Sequence, residues 1–111
     1  MMNRDSSNKA ELERLVKELV KAIEGLRRQW ACELGPHGIR IVTLKTGGVP
    51  ESLPDTFTGR DELTAEIQEA TLLKRAATLA DVGNVAAFVA SDQARTLTGT
   101  VVNISCGALM D

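Results

Sequence analysis

The sequence contains no tyrosine, and its aromatic residues are Trp30, Phe57 and Phe88. Any core must therefore be built from Leu, Val, Ile and Ala. Cysteine is equally scarce. Cys32 and Cys106 stand far apart with no paired spacing, which excludes a disulfide framework and fits reduced, packing thiols. The lone histidine, His37, sits beside Gly38 with no acidic or thiol neighbour at metal-ligand spacing, so it reads as a surface turn residue. Asp61, Glu62, Glu66 and Glu69 read as a solvated acidic face. A net charge of -2 provides no basic field, so nucleic acid is not an expected partner. No apolar run approaches the roughly 18 residues of a membrane span, and the polar N-terminal stretch has no leader-like apolar segment. A soluble, cytoplasmic protein with no membrane partner is the expectation.

What is present is a small α/β pattern. Residues 1–7 form a polar tail expected to be disordered, and 8–34 read as one long amphipathic helix. Asn8 is placed as its cap with Glu11 three residues on. Leu12, Leu15, Val16, Leu19, Ile23, Leu26 and Trp30 recur at helical spacing, widened by Val20, Ala22 and Leu34. Glu13 with Lys17 and Glu24 with Arg28 are spaced for ion pairs on the other face. Ala10 to Lys21 uses almost only strong helix formers, a regularity that suits a designed helix as well as a natural one. Gly35-Pro36 stops it. Ile39 to Leu44 is apolar and β-branched enough for a strand covered on both faces. Thr46-Gly47-Gly48 turns the chain, and Val49 to Gly59, with Pro50 and Pro54, is an irregular loop. A helix from Arg60 to about Leu73 follows. A second is capped by Thr78 with Asp81 and buries Val82, Val85, Ala86 and Val89. The strand Thr100 to Ser105 closes the order. Two strands joined through helices should be parallel. A two-stranded sheet leaves open edges and a small core, so a homo-oligomer, in the simplest case a dimer, is expected through the 8–34 helix, the strand edges or both.

From Gly25 to Asp111 the chain resembles the C-terminal half of a short-chain dehydrogenase/reductase. The likeness rests on Gly25-Leu26, Ala31 to Arg40, Gly47 with Val49, Leu73-Lys74-Arg75, Ala80-Asp81-Val82, Phe88 to Asp92, Thr98-Gly99, Val102-Asn103 and Cys106-Gly107. The resemblance implies the last two strands of a Rossmann-like sheet with their helices. It implies a leading helix that packs on its counterpart in a neighbouring subunit. It also implies that the backbone around Thr46, Gly47, Gly48 and Val49 is a vestigial contact for the nicotinamide end of a cofactor. The family's chemistry uses a glycine-rich pyrophosphate turn, a Ser, a Tyr general acid/base and a Lys four residues later. By the family's spacing the Tyr falls at Val16 and the Lys at Val20. Its strand Asn falls at Val42, its turn Pro at Thr46 and its following Thr at Glu51, beside Ser52. The glycine-rich turn and the Ser-bearing strand have no counterpart. The expectation is a non-catalytic, self-associating module with no catalytic residue, no metal and no cofactor of its own. The alternative is a subunit of an NAD(P)-dependent oxidoreductase that needs the family's N-terminal half.

Overall fold

The computed structural model describes the backbone of residues 2–111 and the side chains from Ser7 onward. Helix α1 spans Met2–Leu34, β1 Val42–Thr46, α2 Arg60–Ala70, α3 Leu79–Ala90 and β2 Thr100–Ile104, with single 3-10 turns at Gly35–His37, Pro50–Ser52 and Asp92–Ala94. The expected α/β order is present. So is the parallel sheet, in which Val42 pairs with Thr100 and the register runs on to Thr46 with Ile104.

Several boundaries differ from the sequence reading. Helix α2 ends at Ala70 and not near Leu73, with Thr71 extended after it, and β2 ends at Ile104 and not Ser105. Three further differences have structural consequences. The first is the start of α1. It begins at Met2, so Asn8 lies inside the helix and does not cap it. No Gly or Pro stands between Met2 and Asn8 to break the helical path. The second is the helix stop. It falls after Leu34 as expected, but the left-handed residue is Gly38 at φ 77°, with Gly35-Pro36-His37 forming an intervening 3-10 turn. Pro36 cannot donate but suits the first turn of such a helix, so it prolongs the exit by one turn. The third is β1, which begins at Val42 and not Ile39. The Ile41 N–H donates to Thr98 Oγ1 and the Ile41 carbonyl accepts from Gly99 N–H, so the turn before β2 occupies the main chain there. Thr46 is consequently the last ladder residue, not part of the turn.

The α3 cap forms as read. Thr78 Oγ1 accepts from Asp81 N–H at 3.0 Å, and an Asp81 carboxylate oxygen accepts from Thr78 N–H at 2.9 Å. These hydrogen bonds hold the Asp81 carboxyl below the usual carboxylate range, with Arg75 at 3.3 Å adding to the effect. Of the ion pairs expected along α1, the described residues show Arg14 with Glu11 instead, at 2.6 Å and well exposed, which contributes little.

The molecule measures 54 × 30 × 26 Å with a radius of gyration of 17.1 Å. A compact chain of this length would have about 13 Å. The excess comes from α1, whose 33 residues span about 50 Å and run well past the sheet. Among the described residues the buried apolar side chains are Pro50, Ala77 and Ala94, and no large side chain is fully buried. Eight large apolar residues of α1, from Leu12 to Trp30, remain 45–62% exposed.

Candidate functional site

Alternation along β1 sends Val42 and Leu44 to one face, where they meet Ala86 and Val89 of α3 across an open cleft. It sends Thr43 and Lys45 to the other face, beneath α1. There a cleft of about 310 Å³ opens, lined among others by Val20, Glu24, Arg27, Thr43, Lys45 and Thr46. The structure thus brings together Val20, where the resemblance would put the family's Lys, and Thr46, at the start of the expected cofactor turn. Val16, where the resemblance would put the family's Tyr, is half exposed on α1 and does not line this cleft. Neither valine carries a proton to exchange.

The turn residues have other contacts. A Cβ on Gly48 would lie 2.7 Å from Ile67 Cδ1 and 2.9 Å from Ile67 Cγ1, so Gly48 is the position against which α2 closes. A Cβ on Gly47 would sit at 3.4 Å from Ala108 and Ser105, an ordinary contact with the C-terminal turn. Val49 leads into buried Pro50, and its carbonyl accepts from Ser52 Oγ at 2.7 Å. Glu51 accepts from Leu79 N–H at 3.2 Å, placing a carboxylate at the positive end of α3. These residues suit packing and helix-end contacts. The residues that the resemblance assigns to the cofactor side, a carboxylate at Glu51 already engaged by Leu79 N–H and an aliphatic side chain at Val20, do not fit a dinucleotide well.

Arg27 is the site residue that sequence reasoning missed. It is only 7% exposed; its Nε has no hydrogen-bond partner among the described residues, and its Nη1 reaches Thr43 Oγ1 at 3.5 Å. A polar residue beside an apolar stripe gives no periodic sign that it will be covered. Burial follows from its position over Thr43, which only the fold reveals. Cys32 is exposed and Cys106 half-buried, both free, so Cys32 is not the packing residue expected. Cys106 adopts φ 58° at the turn after β2. His37 is exposed in its 3-10 turn, and no group of metal-binding side chains forms among the described residues.

Comparison with known proteins matches residues 16–108 to the family model described as enoyl-(acyl carrier protein) reductase. Tropinone reductase-like 3 of Erythroxylum coca is 34% identical over 86 residues, covering 78% of this chain and 33% of that protein. The NADH-dependent enoyl-[acyl-carrier-protein] reductase FabI of Haemophilus influenzae is 32% identical over 90 residues, covering 80% and 34%. Among solved structures, the promiscuous reductase LugOII aligns with a TM-score of 0.70 at 26% identity, over 81% of this chain and 35% of its own. A 4-hydroxyisoleucine dehydrogenase complexed with NADH aligns at 0.67 and 27%, over 79% and 36%. The chain spans about a third of the length of these relatives. The matched segment, the parallel β1–β2 pair and the helices around it place the chain in the short-chain dehydrogenase/reductase family, with the likeness lying in that family's C-terminal half.

Proposed function

We propose that this chain is a non-catalytic, self-associating module of the short-chain dehydrogenase/reductase fold. One observation carries the reading: the apolar stripe of α1 stands open over its whole length, 45–62% exposed at each large residue. Half-exposed side chains of this size each present on the order of 100 Å². Eight of them approach the roughly 800 Å² per partner of a standard interface. Val16 and Val20 supply the second half of the argument, because neither can act as acid, base or ribose ligand. Light scattering during size exclusion should return twice the 11.9 kDa chain mass. A clean monomer across the accessible concentration range would overturn self-association. Saturable binding of NADH or NADPH by the pure chain, followed by nicotinamide fluorescence, would overturn the non-catalytic reading.

A second reading is that the chain contributes to NAD(P)-dependent oxidoreduction as a subunit. It is favoured by the match to NADH-named relatives over four-fifths of this chain. Adding a Rossmann half of such a relative in trans should then restore dinucleotide binding, and unchanged fluorescence in the mixture would count against it.

A further inference from the structure

Three unmet demands lie on one flank of the molecule. The first is the α1 stripe. Leu12, Val16, Leu19, Ile23, Leu26 and Trp30 follow one another at alternating steps of four and three residues, the spacing of a helix-on-helix seam. The second is the outer edge of β1, which among the described residues pairs only with β2. Both main-chain groups of Ile41 face the β2 side, so alternation turns the N–H and C=O groups of Val42, Leu44 and Thr46 outward. The third is Arg27 Nε, buried without an acceptor among the described residues. They meet at a cleft of about 280 Å³ in which Ile23, Leu26, Arg27 and Trp30 of α1 face Ile41, Val42 and Thr43, with no β2 residue in its lining.

We propose that this flank takes a second copy of the chain across a two-fold axis normal to the sheet. The inference rests on the self-association reading and specifies its geometry. The axis passes beside Leu44, so β1 pairs antiparallel with its copy and the sheet becomes four-stranded, β2-β1-β1-β2. The same axis sets the two α1 helices antiparallel on one face, with Leu19 of one copy near Trp30 of the other. A parallel helix pair would satisfy the seam, but its axis runs along the helices and carries the two β1 edges apart. The length of α1 agrees with the antiparallel arrangement, because its first turns have no sheet of their own beneath them and lie over the partner. The usual guard of an exposed edge, a free lysine, is missing: Lys45 is held by Asp111 at 3.1 Å. The seam also names the occupant, since it calls for a partner helix of the same spacing and α1 is one.

Amide hydrogen exchange followed by NMR tests the geometry. In a monomer, Thr43 and Lys45 are protected by β2 while Val42, Leu44 and Thr46 exchange freely. At dimeric concentrations these three amides should slow at least tenfold and recover on dilution. Leu19→Lys, a change at a side chain 62% exposed in the single chain, should leave the fold intact. It should weaken the dimer on the order of 30-fold and release the same three amides. Thr46→Pro removes one outward donor per copy and should weaken the dimer without unfolding it. A dimer whose Val42, Leu44 and Thr46 amides stay fast would overturn the proposal while leaving self-association standing. A chain that stays monomeric would overturn both.

Discussion

Helices α1 and α3 are written by the same rule and end in opposite circumstances. Each has an apolar face at helical spacing. Along α3, Val82, Val85, Ala86 and Val89 are half-buried, with Ala86 and Val89 turned toward β1. Along α1 the stripe is open from Leu12 to Trp30, and the helix meets the sheet through the adjacent face that carries Glu24, Arg27, Ala31 and Leu34. Periodicity therefore fixes which side of a helix is apolar, but whether that side is covered depends on what else is present. The body from β1 to β2 should behave as a packed unit that resists substitution. The first half of α1 should behave as a surface whose energetics depend on concentration.

The largest break in that contrast should come at the turn after β2. Gly107 has φ 84°, and a Cβ there would lie 2.6 Å from Leu72 Cβ, an atom fixed to the backbone. Gly107→Ala combines left-handed strain of about 1–2 kcal/mol with a contact that only backbone movement relieves, so a loss of about 2–4 kcal/mol is expected in denaturant unfolding. Next comes Gly48→Ala. Its neighbour is Ile67, whose outer Cδ1 can swing aside but whose Cγ1 at 2.9 Å has less freedom. About 1–3 kcal/mol should be lost, read as a lower denaturant midpoint with an unchanged slope. If Gly48→Ala were neutral, the closure of α2 on the turn would be wrong.

The α3 cap tests the body at a finer scale. Thr78→Ala removes the acceptor for Asp81 N–H and should cost about 1 kcal/mol. Its pH counterpart has a definite sign. The folded-state pKa of Asp81 is depressed, first by its hydrogen bond from Thr78 N–H and then by the Thr78 side chain. Its contribution is thus fully present above the ordinary carboxylate pKa and fades as the pH falls through the lower folded value. Thermal melts of Asp81→Asn should show a shallower loss of stability on acidification than the parent chain. An identical acid limb would mean that the cap does not titrate with folding.

Much of this body was legible because its determinants are local. Thr78 and Asp81 are three residues apart, and the turn residues Gly47 and Gly99 flank short β-branched runs. The two parallel strands follow from helices lying between them. What escaped the sequence depends on residues distant along the chain. The start of β1 shifts because Thr98 and Gly99 take the main chain of Ile41, 57 residues and more away. Gly48 looks like a turn glycine until Ile67 is seen against it. Arg27 looks like a solvated residue until Thr43 lies beneath it. Of the two positions the resemblance singles out on α1, Val16 and Val20, only Val20 reaches the cleft with Thr46, which spacing along the helix alone does not decide.

The smallest effect should be the most telling about α1. Leu12 is 62% exposed, so in an isolated chain Leu12→Ala removes almost no packing and exchanges one good helix former for another. Its unfolding free energy should change by less than about 0.5 kcal/mol at concentrations where the chain is monomeric. Where copies associate, the same substitution removes a side chain from the seam, and the apparent midpoint should fall further as the protein is concentrated, relative to the parent at equal concentration. A Gly48→Ala penalty, by contrast, should be the same at every concentration, because Ile67 belongs to the same chain. If the Leu12→Ala effect were large in dilute solution, the stripe would be covered within a single chain and the contrast between α1 and α3 would disappear. If it were small at every concentration, Leu12 would lie beyond the end of the shared seam, and the antiparallel overlap would be confined to the turns between Val16 and Trp30.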